Sequence, residues 1–148
     1  MTAIRDLMTD DHRQCDDLLA VAEQAVGARN IEAARAAFEE FRLAMLAHFD
    51  GEETILFPAF EEATGMTQGP TRVMRMEHLQ LRQLFEEAAE TLAGGDVDGY
   101  LGVADTLVVM MQQHNMKEEN ILYPMCDQHL AATVDSIASR LESQLTRA

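Results

Sequence analysis

The stretch HFDGEETILFP at residues 48–58 returns sixty-six residues later as HNMKEENILYP at residues 114–124. In each copy a histidine is followed four positions on by a glutamate: His48 with Glu52, His114 with Glu118. Residues at i and i+4 lie one above the other on a helix face, so each pair points the same way. The same shift carries His12 onto His78. The chain therefore reads as one domain, 1–148, of two pseudo-repeats, about 1–64 and 70–130, followed by a C-terminal helix. Each repeat supplies one helix with a lone histidine and one with His-x-x-x-Glu.

Working outward, the flanking sequence favours helix throughout. Ala, Leu, Glu, Gln, Met and Arg abound, while proline and β-branched residues are sparse. Apolar residues recur at helical spacing in four long segments. The first, about 2–26, carries Ile4, Met8, Cys15, Leu19, Ala22 and Val26. The second runs from 31 into the region of Pro58, with Phe38, Phe41, Met45, Ile55 and Ala59. The third, about 71–93, carries Met74, Leu81, Phe85, Ala88 and Leu92. The fourth, about 97–126, carries Tyr100, Ala104, Leu107, Met111, Ile121 and Met125. Turn signals separate them at Gly27 to Asn30, Gly65 to Pro70 and Gly94-Gly95-Asp96. Val134, Ile137, Ala138, Leu141 and Leu145 mark a shorter amphipathic helix. The fold expected is all-α, an up-down-up-down four-helix bundle with an accessory C-terminal helix. Pro58 and Pro124 should bend or end the second and fourth helices.

Polar residues interrupt the apolar stripes at matching places. His12 falls between Met8 and Cys15, His48 between Met45 and Ile55, His78 between Met74 and Leu81, and His114 between Met111 and Ile121. Glu52 and Glu118 join them, and no Lys or Arg lies on the inner stripes at that level. Burying four imidazoles and two carboxylates together is unfavourable without a compensating positive charge. Bound metal compensates it and selects such ligands. His12, His48, Glu52, His78, His114 and Glu118 are thus the candidate metal ligands, with Glu118 preferred to Glu119. In a regular helix, the i+5 residue points away from position i. The paired half-sites suggest two ions bridged by carboxylates. Met8, Met45, Met74 and Met111, each three or four residues before a ligand, read as core filling on either side of the metal layer. Cys15 reads as a buried thiol, and His129, beyond Pro124, as an end-of-helix residue.

The bulk properties remove other classes. A net charge of −15 argues against nucleic acid and anionic membrane surfaces as partners. The longest apolar run, residues 107–111, is too short to span a bilayer. Acids and a histidine stand where a signal peptide would be apolar. Two cysteines are too few for a disulfide framework, so a cytoplasmic location is expected. No nucleophilic triad, phosphate loop or thiolate-rich zinc motif occurs.

Taken together, these histidines and glutamates resemble those of the hemerythrin-like, or HHE cation-binding, family over nearly the whole chain. The resemblance implies a four-helix bundle whose core holds two iron ions joined by an oxo or hydroxo bridge, with zinc or manganese as conceivable substitutes. It implies that His12 and His48 hold one iron, that His78 and His114 hold the other, and that Glu52 and Glu118 bridge them. Oxygen-carrying members place a fifth histidine four residues after the third-helix ligand, where this chain has Arg82. Each iron would then keep an open position, as in four-His, two-Glu relatives linked to nitric oxide stress, iron–sulfur repair and oxygen or peroxide chemistry. Binding or sensing of a small ligand (oxygen, nitric oxide or peroxide), as part of a stress response, is expected ahead of catalysis. A redox enzyme consuming peroxide or nitric oxide and an iron donor for iron–sulfur cluster repair are the alternatives.

Overall fold

A computed structural model of the chain describes residues 3–145, and no strand occurs among them. The helices are α1 (Ala3–Gly27), α2 (Ile31–Gly51), α3 (Phe57–Thr64), α4 (Pro70–Ala93), α5 (Val97–Lys117), α6 (Tyr123–His129) and α7 (Val134–Leu145). One π-helical turn, Glu52–Leu56, joins α2 to α3, and another, Glu118–Leu122, joins α5 to α6. The second and fourth bundle rods are therefore α2 with α3 and α5 with α6. α1 packs along α2, and α4 along α5, completing an all-α bundle. None of the described helices is long and apolar enough to cross a membrane.

Local chemistry sets the turns. Asn30 caps α2 by accepting from the Ala33 N–H, and Asp96 caps α5 by accepting from the Gly99 N–H. Before each cap the chain passes through a left-handed residue, Arg29 at φ 57° and Gly95 at φ 69°. These are pseudo-equivalent positions, and only the second has the residue type that adopts this conformation freely.

Of the two expected outcomes at the prolines, ending does not occur: α3 and α6 run on to Thr64 and His129. Pro58 and Pro124 have no N–H for the carbonyl four residues back. Each rod accommodates this with one wide turn, in which the Phe57 N–H donates to the Glu52 carbonyl and the Tyr123 N–H to the Glu118 carbonyl. That extra residue rotates everything after it. The stripe expected to run through Ile55, Ala59, Ile121 and Met125 runs instead through Leu56, Phe57, Phe60, Leu122, Tyr123 and Cys126, all buried. Ile121 is 56% exposed. The other apolar positions expected inside in α1, α2, α4 and α5 are buried.

Two apolar clusters result. One, around Leu19, Phe38, Phe41, Met45, Phe85 and Met111, fills the half of the bundle nearest the α1–α2 and α4–α5 turns. The other, around Ile4, Met8, Leu56, Phe60, Met74 and Leu122, is closed by Ile137, Leu141 and Leu145 of α7. α7 lies against α1, α2 and the first π-turn. It approaches closely at Gly51, where a Cβ would stand 3.3 Å from Gln144 Cγ. The pseudo-equivalent position is Lys117, so only one repeat admits this helix.

Candidate metal centre

Between the two clusters lies a layer of polar side chains. His12, His48, Glu52, His78, His114 and Glu118 are all 2% exposed or less. α1 supplies His12, α4 supplies His78, and the ends of α2 and α5 supply His48 and His114. Glu52 and Glu118 open the two π-turns. The imidazoles pair across the layer, His12 with His48 at 4.6 Å between ring centres and His78 with His114 at 5.0 Å.

Each glutamate spans both pairs. Glu52 lies 3.6 Å from His48 Nε2 and 3.1 Å from His78 Nε2. Glu118 lies 3.3 Å from His114 Nε2 and 3.1 Å from His12 Nε2. One contact of each glutamate stays in its own rod, and the other reaches across to the opposite repeat. That is the placement a bridging carboxylate requires.

The outer nitrogen of every imidazole is held by a further carboxylate. His12 Nδ1 meets Glu119 at 2.7 Å, and its repeat counterpart His78 Nδ1 meets Glu53 at 2.5 Å. His48 Nδ1 meets Asp11 at 2.8 Å, and its counterpart His114 Nδ1 meets Glu77 at 2.8 Å. With Nδ1–H donating outward, each ring is fixed in orientation and turns Nε2 toward the layer. Arg82 and Lys117 bind the outer faces of Glu53 and Glu77. Glu119 thus stands outside His12, and Glu118 inside.

Electrostatics drive protons onto this layer when nothing else neutralises it. Burial alone would lower the His48 pKa, but Glu52, Asp11 and Glu118 raise it to about 10. Burial opposes the same effect at His114, which Glu118, Glu52 and Glu77 raise to about 9. His12 and His78 are also raised against their burial by the carboxylates they touch. Burial would raise Glu52, yet His48, Glu118 and His78 hold it well below the usual carboxylate range.

The residues fit a bound metal cation. His78 Nε2, His114 Nε2, Glu52 Oε1 and Glu118 Oε2 are buried and make no hydrogen bond, although His78 Nε2 and Glu52 Oε1 are only 3.1 Å apart. Such atoms are rare in folded proteins, because each is strongly destabilising when dry. The ligating atoms of Glu52, His78, His114 and Glu118 lie within 4.8 Å of one another, as do those of His12, His48 and Glu118. Imidazole and carboxylate donors suit iron, zinc or manganese.

The sequence reading missed Tyr123. Its hydroxyl donates to Glu52 Oε2 at 2.7 Å, with Glu118 Oε1 at 3.0 Å, and lies 3.2 Å from both His12 Nε2 and His48 Nε2. Burial and the two carboxylates push its pKa far up, so it stays protonated. The repeat counterpart is Phe57, stacked at 5.7 Å on His78. The two halves are therefore chemically unequal. The aromatic-Pro ending of the repeated stretch held the signal, but a regular helix turns position 123 away; the π-turn brings it in. Cys15 is buried with its sulfur 4.0 Å from Asp11, and the exposed His129 meets the edge of the Phe60 ring.

Comparison with curated proteins and with solved structures returns no significant match. A family model does match, the hemerythrin HHE cation binding domain, over residues 3–126. That span contains both copies of the repeated stretch and all six inner side chains, and the chain belongs to the hemerythrin HHE cation-binding family.

Proposed function

We propose that this protein holds two iron ions in the polar layer and uses them to bind or react with a small ligand: oxygen, nitric oxide or peroxide. His12 and His48 would hold one ion, His78 and His114 the other, and Glu52 and Glu118 would lie between them. The observation that carries this reading is the convergence of four Nε2 atoms and two carboxylates in a dry layer, with every Nδ1 already anchored. When bound, the iron pair would supply the redox chemistry.

The chain's own residues do the rest. Asp11, Glu53, Glu77 and Glu119 keep each imidazole in one tautomer and one orientation. The flanking apolar clusters exclude water from the layer. On one side the Tyr123 O–H offers a proton within hydrogen-bonding reach of both bridging carboxylates. That hydroxyl favours a second reading, consumption of peroxide or nitric oxide, in which it serves as a hydrogen-bond donor.

The test is metal analysis of protein purified from its own host, with absorption spectra in both redox states. Two irons per chain and a stable oxygen or nitric oxide adduct in stopped flow support binding or sensing. Turnover of peroxide or nitric oxide above free-iron controls selects the enzymatic reading. Zinc or manganese filling the cage in place of iron would refute the iron assignment.

A further inference from the structure

The two repeats differ in how they close the layer off from solvent. Outside His78, Phe49 stacks on the imidazole at 3.9 Å and packs on Phe85. Arg82 lies 5.4 Å over the Phe49 ring and binds Glu53 at 3.0 Å. This side is sealed by an aromatic plug and a cationic strap. At the pseudo-equivalent positions outside His12, Asn115 replaces Phe49, Leu19 replaces Phe85, and Asp16 replaces Arg82. There the surface opens into a cavity of about 460 Å³ lined by Asp16, Leu19, Met111, Asn115 and Glu119, among others.

Asn115 is 9% exposed, and its Oδ1 is buried without a hydrogen-bond partner. A buried amide oxygen left in that state asks for a donor or a cation. The exposed Asp16 and the partly buried Glu119 stand on the same cavity. Arg5 and Arg13 bear on Glu119 from along α1. Glu119 reaches from the cavity to His12 Nδ1, so the cavity ends one imidazole from the layer.

We propose that this cavity between α1 and α5 is a transit site for a divalent cation, and the port through which the metal centre is loaded. Asp16 and Glu119 supply carboxylate oxygens on the cavity, with the unpartnered Asn115 Oδ1 buried beneath its wall, the chemistry that captures a hydrated divalent ion without holding it as firmly as imidazole does. The opposite face, with arginine and phenylalanine at the corresponding places, repels and blocks the same ion. The inference rests on the proposed metal centre.

The test is stopped-flow uptake of Co²⁺ by metal-free protein, read by cobalt visible absorption, with final stoichiometry measured separately. Asp16→Arg combined with Asn115→Phe copies the sealed face. It should slow uptake by roughly tenfold or more, within the range that local charge gives to association rates, while the final stoichiometry stays at the wild-type value. Asp16→Asn, nearly isosteric, should slow uptake by a smaller factor and keeps the test valid if the double variant does not fold. Asp98→Asn, the same charge change in the exposed first turn of α5, should leave the rate as in wild type. Equal rates for Asp16→Asn and wild type, or equal slowing by Asp16→Asn and Asp98→Asn, would overturn the port and leave the metal centre standing. Wild-type protein that takes up no cobalt would overturn the centre and the port together.

Discussion

Loading the centre with metal should expel protons, in a number the structure bounds. Around the layer stand six carboxylates, Asp11, Glu52, Glu53, Glu77, Glu118 and Glu119, against four imidazoles, with Arg82 and Lys117 on the outer edge. If all four imidazoles are protonated, the charges balance. Two divalent ions carry the same charge as four such protons, so exchanging one set for the other keeps the layer neutral. His48, with a pKa of about 10, and His114, at about 9, are both charged in metal-free protein near neutral pH. Each must lose its Nε2 proton before that nitrogen can ligate. At least two protons, and at most four, should therefore leave per chain. By linkage each released proton raises the binding constant about tenfold per pH unit, so overall two-ion affinity should rise about a hundredfold or more between pH 7 and 8. The slope should flatten above about pH 9, where His114 and then His48 discharge unaided. Titration of metal-free protein with Zn²⁺, in buffers of different ionisation enthalpy, counts the protons calorimetrically. Binding with no proton release and no pH dependence would refute the argument that proton and metal compete for the same nitrogens.

The remaining expectations use simpler assays. Glu52→Ala or Glu118→Ala should bind fewer than two metals per chain, whereas His129→Ala, outside the layer, should keep the wild-type content; two ions retained in both glutamate variants would disprove bridging. Metal-free protein should lose thermal stability as pH rises from about 6.5 toward 10, because histidines with raised folded pKa values stabilise the fold only while protonated. Below the usual glutamate value of 4.5, protonation of Glu52 should destabilise it again, so a melting temperature still climbing above pH 7 would count against the assignment. Tyr123→Phe makes the His12 side resemble the His78 side. It should destabilise metal-free protein by about 1–3 kcal/mol in urea, since Glu52 Oε2 loses its 2.7 Å donor, while metal content stays at the wild-type value. Arg29→Gly should stabilise the fold by about 0.5 kcal/mol, because it relieves a left-handed residue at φ 57° that the other repeat already fills with Gly95; an unchanged urea midpoint would show that the strain is negligible.

The primary sequence by itself determined the helices, the two-fold repeat and the six inner side chains. Those properties are local or periodic: apolar spacing selects a helix face, and His48 with Glu52, or His114 with Glu118, share that face whatever packs against it. Everything past the prolines depended on tertiary structure. A missing N–H can end a helix, kink it or open a wide turn, and packing against α1 and α7 decides among them. The wide turn moved Leu56 and Leu122 inward, left Ile121 outside, and swung Tyr123 into the layer. The outer carboxylates were equally hidden, because Asp11 and Glu77 hold His48 and His114 from a different helix in each case, a contact that no spacing along one helix encodes. The inequality of the two faces, Arg82 and Phe49 on one and Asp16 and Asn115 on the other, was present in the residues, but only their position outside His78 and His12 gives it physical meaning.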